Sequence, residues 1–199
     1  MFTAMEDVMG TGGLNTLLSL AGLDAYIAQP PPNTLGRQFD FVCIAALNQA
    51  LEDMYGARGG RGMALRVGRA CFARGMKNFG AMAGMTDPAF VALPLPTRAR
   101  LGLDALAAIF TNFSDQYSTV ADQADYLVFT TEVSPMAWGR SSDKPVCHML
   151  TGMIQESLRW ASDGYEFHAQ EIACRAAGDA ACVFRVSKKP MGQMPSKEA

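Results

Sequence analysis

The residues best equipped for chemistry gather in the last third of the chain. Between Pro145 and Pro190 lie three of the five cysteines, Cys147, Cys174 and Cys182, together with Glu171, His148 and His168. Cys174 and Cys182 flank the pair Gly178-Asp179. A hairpin centred on Gly178 would set the two thiols opposite each other on adjacent strands, with Cβ atoms about 5 Å apart. Both sulfurs could then reach one ion, and thiolate and carboxylate donors suit zinc. The same distance suits a disulfide, and free cysteine is commonly a small buried apolar residue. Spacing alone leaves all three readings open. Residues three apart face opposite sides of an ideal strand, so Glu171 and Cys174 converge only where the strand bulges or ends between them.

The pattern Pro145-Val146-Cys147, Glu171-x-x-Cys174 and Gly178-Asp179-x-x-Cys182-x-Phe184 resembles the C-terminal half of the 4-vinyl reductase domain family. That family includes hydrocarbon-binding proteins and the sensor domains of bacterial regulators that respond to phenols and toluenes. The resemblance covers about 135–190 closely and is compatible with 38–134. It implies a structural zinc on Cys147, Glu171, Cys174 and Cys182, an α+β fold, and a dimer formed through the helices. It also implies a small aromatic, hydrocarbon or tetrapyrrole-like ligand. Aromatic-sensing relatives join this domain to an ATPase and a DNA-binding helix pair, and neither occurs in these 199 residues.

The elements that must position these residues are legible from pattern. A chain of this length forms one domain with a real core. Its net charge of −2 predicts no general attraction to nucleic acid or an anionic membrane. The acidic opening Glu6-Asp7 is unlike a secretion signal, and no apolar run is long enough to span a bilayer. Free thiols then fit a reducing, cytoplasmic location. Residues 1–37 read as an N-terminal arm, with a helix over Gly13–Ile27 and a connector at Pro30-Pro31-Pro32. Residues 38–190 read as the ligand-binding domain and 191–199 as a mobile tail.

Asp40 is placed to cap a helix carrying Phe41, Ile44, Leu47, Leu51 and Met54, which stops at Gly56. The glycine-rich stretch to Gly62 lacks the Lys-Ser or Lys-Thr of a phosphate-binding loop and reads as a flexible helix–helix turn. A second helix, Met63 to about Gly84, sets Leu65, Phe72, Met76 and Phe79 on one side and Arg66, Arg69, Arg74 and Lys77 on the other. The basic side reads as a solvated face balanced by acids elsewhere. Gly68 and Gly75 are costly inside a helix and predict close packing against a neighbour or a ligand. Thr97 starts a helix to about Tyr117. A strand follows over 124–133, then a helix from His148 to about Ser162, and strands at 166–173 and 181–187. Helices first and an antiparallel sheet later give an α+β domain with N-terminal helices on one face of a small sheet, and the resemblance implies that a zinc-clamped helix and hairpin close it.

These elements predict a non-catalytic module binding a small hydrophobic ligand, its pocket drawn from Phe72, Phe110, Phe113, Tyr126, Phe129 and Trp138. The alternative is an accessory protein or reductase acting on the vinyl group of a bacteriochlorophyll precursor. The sequence carries no dinucleotide fingerprint and no nucleophile–base pair, so no catalytic residue is assigned. A scaffold subunit with a vestigial pocket is a third reading.

Overall fold

The structure, a computed structural model, describes residues 1–34, 36–79 and 87–192. The end of the helix expected to reach Gly84 and most of the expected tail lie outside the described residues. The elements run α1 (Phe2–Leu20), α2 (Ala25–Ala28), α3 (Phe41–Phe79), α4 (Pro88–Val91), α5 (Leu95–Phe113), β1 (Ser118–Asp122), β2 (Tyr126–Thr131), α6 (His148–Ala161), β3 (Glu166–Ala173) and β4 (Cys182–Met191).

The four strands form one antiparallel sheet in the order β1-β2-β4-β3. Alternation decides which side is covered. Leu127 and Phe129 on β2, Phe167 and Ala169 on β3, and Phe184 and Val186 on β4 are buried. Register places Phe129 beside Phe184 and Val186 between Leu127 and Ala169, so these side chains share one face. Helices α5 and α6 pack on the sheet, and α3 packs on α6. The fold is therefore α+β, as expected.

Helix α6 lies at the centre, with Met149, Leu150, Ile154 and Leu158 fully buried. Its crossing with α3 is unusually close. A Cβ on Gly68 would collide with the Met149 carbonyl, and one on Gly152 would collide with the Leu65 carbonyl. Only residues without side chains allow the two backbones to meet here. Gly75 faces open space.

The structure revises several expectations. Helix α1 begins at Phe2 rather than Gly13 and breaks at Gly10, whose φ of 73° leaves the helical region. It packs Ala4, Met5, Leu14, Leu17 and Leu18 into the core. Asp40 does cap α3, accepting from the Val42 N–H at 3.0 Å. Gly56 breaks that helix with φ 71°, but the glycine-rich stretch beyond it is helical, not a flexible turn. The chain bends so tightly that a Cβ on Gly60 would meet the backbone of Leu51 and Glu52 at 2.7 Å. The helix expected from Thr97 begins at Leu95 behind Pro94 and ends at Phe113. Strand β1 went unforeseen, because its five residues Ser-Thr-Val-Ala-Asp carry little apolar alternation.

Candidate metal centre

Three segments converge on one buried cluster. Cys147 immediately precedes α6, Cys174 follows the last residue of β3, and Cys182 opens β4. The β3–β4 register shifts between Glu171 and Ala173, and β3 ends at Ala173. That irregularity is the one the sequence required, and it turns Glu171 and Cys174 to the same side. The link between β3 and β4 is a single 3-10 turn, Arg175–Ala177, closed by Gly178 at φ 98°. Asp179 ties it down: its carboxylate accepts from the Cys174 N–H at 2.7 Å, and its own N–H donates to the Cys174 carbonyl at 3.2 Å.

The sulfurs stand 3.6 Å apart for Cys147 and Cys182, 4.0 Å for Cys147 and Cys174, and 3.9 Å for Cys174 and Cys182. One donor atom from each of these cysteines and from Glu171 lies within 4.8 Å of every other, and all four residues are buried. All five cysteines are free thiols, so the disulfide reading does not hold. Glu171 Oε2 accepts from the Cys147 N–H at 2.8 Å, which fixes the start of α6 to β3. Its other oxygen, Oε1, is buried without a partner.

Electrostatics define what this cluster requires. Hydrogen bonds from Cys147 and Cys182 hold the Cys174 thiol far below its ordinary value. Hydrogen bonding to the other two sulfurs and burial push Cys147 well up. For Cys182, the hydrogen bond from Cys147 works downward, but its own bond to Cys174 and burial outweigh it and carry the thiol to about 12. Burial and the charge on Cys174 push Glu171 up to about 8. The protein alone thus supports one thiolate and opposes further negative charge. All four groups could ionise together in so small a buried space only around a cation. These four residues could hold a metal ion, and the unpartnered Oε1 fits that role.

Neighbouring groups set the cluster's position, and two of them, Ser134 and Asn48, the sequence did not mark. The Ser134 hydroxyl lies 3.1 Å from Cys147 Sγ. The buried Asn48 amide on α3 donates to the Val146 carbonyl at 3.1 Å, holding the approach to Cys147. The Arg175 N–H donates to Cys182 Sγ at 3.4 Å, whereas its guanidinium reaches the Glu132 carbonyl. His148 is partly buried, and burial and the nearby Arg61 lower its pKa. His168 lies on the exposed side of β3, away from the cluster.

A separate apolar cleft of about 340 Å³ opens between α1, α3, α5 and α6. Phe72, Phe110 and Phe113 line it, joined by Ile109, Met153 and Gly75. Tyr126, Phe129 and Trp138 do not. Phe129 is sealed in the core against Phe110 and Phe184. Arg185 stacks over Tyr126, and Trp138 packs edge-on to Phe41 while half exposed. Arg74 stands at the cleft and forms a two-pronged ion pair with Asp7, at 2.6 and 2.7 Å. Arg69 pairs with Glu166 on both oxygens at 2.9 Å. Two residues of the basic face are thus balanced by acids elsewhere in the chain.

Residues 127–188 match the family model of the 4-vinyl reductase domain, so the resemblance drawn from the cysteine and glutamate pattern holds over that span. No curated protein sequence matches the chain. Among solved structures, the phenol-responsive sensory domain of the transcription activator PoxR, solved with phenol, superposes with a TM-score of 0.54 at 20% identity. The alignment covers 75% of this chain and 74% of that one. An H-NOX protein from S. oneidensis, in the Fe(II)NO ligation state, superposes with a TM-score of 0.60 at 10% identity over 96% of this chain and 97% of that one. At such identities the likeness is one of fold. Among the described residues, no helix is long and apolar enough to cross a membrane.

Proposed function

We propose that the chain is a non-catalytic small-molecule binding module. Its apolar cleft takes a hydrophobic, aromatic or tetrapyrrole-like ligand, and its cysteine–glutamate cluster holds a structural zinc. The cleft carries this reading. Its volume of about 340 Å³ falls within the range of small-molecule sites, and aromatic and aliphatic side chains make most of its wall. The match to the 4-vinyl reductase domain and the fold shared with a phenol-responsive sensory domain support the same class of function.

Zinc is the ion the donor set favours. Sulfurs bound at about 2.3 Å to a tetrahedral ion stand roughly 3.8 Å apart, and the observed spacings are 3.6 to 4.0 Å. Four protein donors would leave no open position for water, so the bound ion would supply cross-linking and charge neutralisation rather than reaction chemistry. Cys147, Glu171, Cys174 and Cys182 would hold it. The homodimer implied by the family resemblance belongs to the same reading and is checked by analytical ultracentrifugation.

The decisive experiment measures binding of phenol, toluene and a free-base porphyrin by calorimetry, on wild type and Gly75→Leu. Gly75 lines the cleft and a Cβ there meets nothing. Leucine should fill the cleft while favouring the helix. The expected result is binding of at least one compound, lost in Gly75→Leu at an unchanged or raised Tm. Failure of all three to bind, or equal binding by the variant, would overturn the assignment.

A further inference from the structure

A second cavity, of about 500 Å³, lies on the other side of the metal centre between α3, the 142–146 loop, the start of α6 and β3. Its chemistry is opposite to that of the apolar cleft. Arg58 and Arg61 project from α3 one helical turn apart, Lys144 stands on the facing loop, and His148 lines the cavity from the start of α6. Among the described residues, Arg58, Arg61 and Arg66 have no carboxylate within 4 Å and no side-chain hydrogen bond, whereas Arg69 and Arg74 of the same helix are paired; of the three, Arg58 and Arg61 line the cavity. Both arginines also sit just beyond the break at Gly56, within the first two turns of the helical half that follows. The helix dipole disfavours cations there. Both side chains are exposed, and unlike Arg66 both line this cavity, where one anion would pair with the two guanidinium groups together.

The acids around the cavity do not supply that anion. Glu52 is engaged by Arg140 at 2.9 Å. Asp143 reaches only its neighbour Lys144, at 4.0 Å, with both side chains more than four-fifths exposed. Glu171 turns Oε2 inward to the Cys147 N–H. Nor do the arginines serve the metal centre directly. Among the described residues, the three sulfurs and Glu171 make hydrogen bonds with backbone N–H groups, with one another and with Ser134, and none with a guanidinium.

We propose that this cavity is a binding site for a small molecule bearing an oxyanion, a carboxylate or a phosphate, gripped by Arg58 and Arg61 with Lys144 at the rim. Guanidinium forks match both oxyanions through paired N–H···O bonds. The cavity has room for an organic body beside the anionic group, against Leu65, Pro145 and Val146. The recognition is by side chains. It is not a phosphate-binding loop, because the glycine-rich stretch that invited that comparison is helical.

The test is thermal unfolding of the purified full chain, with metal content assayed in parallel. Potassium phosphate and potassium benzoate are each compared with potassium chloride at equal ionic strength, for wild type and Arg58→Gln/Arg61→Gln. At ten times its Kd, phosphate or benzoate should raise Tm by about 3–5 °C beyond chloride. The double variant should lose that shift while keeping its metal and its circular dichroism spectrum. The two salts separate a phosphate site from a carboxylate site. A shift no larger than that of chloride, or one that persists in the double variant, overturns the proposal. Loss of metal from the variant with an unchanged response to both anions would assign the arginines to the metal centre instead, and so would also overturn it.

Discussion

At the scale of single residues, the cluster makes the sharpest predictions. Cys182→Ala removes one of four donors and leaves the other three buried. Metal bound to the purified protein, measured by atomic emission, should fall from about one ion per chain to near zero. The accompanying loss of about 3 kcal/mol corresponds to a drop of about 6–12 °C in Tm. Glu166 gives a pH-dependent case. Its carboxylate hydrogen-bonds Arg69, which holds its pKa below the ordinary value of 4.5. A depressed folded-state pKa contributes stability that is present above about 4.5 and lost as pH falls through the folded value. Because the pair is partly exposed, the contribution is about 1 kcal/mol or less. Glu166→Gln should therefore lower Tm by no more than about 2–4 °C at pH 7 and flatten the acid limb below pH 4.5. An unchanged acid limb would refute the assignment. The four residues of the cluster were legible as residue types at suggestive spacing. The bulge that lets Glu171 join Cys174 was visible only as a condition, because register is set by β4 and not by the sequence of β3. Asn48 and Ser134 carried no signal at all, since a polar residue is exposed or buried according to its neighbours.

At the scale of elements, the crossing of α3 and α6 is the most exacting contact. Gly152→Ala would drive a methyl group into the Leu65 carbonyl. Overpacking of this kind costs about 1–3 kcal/mol or more, so Tm should fall by at least about 2 °C. Gly75→Ala is the matched control on α3. With nothing near its Cβ, it should raise stability by about 0.5–1 kcal/mol through helix propensity. Equal effects of the two substitutions, measured by denaturant unfolding, would contradict the close approach. Periodicity made α5, α6 and both later strands readable, because each buries one face at a regular interval. It misled at the glycine-rich bend, where four glycines in seven residues resembled a loop. Those glycines serve compactness instead: Gly56 reverses the backbone and Gly60 lets the second half of α3 press on the first.

At the scale of the whole molecule, the cluster joins parts of the chain that would otherwise be independent. It ties the start of α6 to the β3–β4 turn, and through α6 reaches α3 and α5. Chelation should therefore loosen the assembly. Hydrogen exchange is expected to rise first at residues 174–182 and at the first turn of α6, before the inner turns around Leu158. Uniform exchange across α6 would indicate that the cluster is not an anchor. The α+β class was legible from the order of helices and strands, whereas of the six side chains expected around a pocket only Phe72, Phe110 and Phe113 line the cleft, because its walls come from helices far apart in sequence. Every residue lining it except Met153 lies outside 127–188. The anchor and the chamber are thus written in different stretches of the chain. Substitutions at Ile109 and Phe113 reshape the chamber without touching the cluster, so a library varied there would vary the proposed binding wall while leaving the β3–β4 turn and the start of α6 as they are.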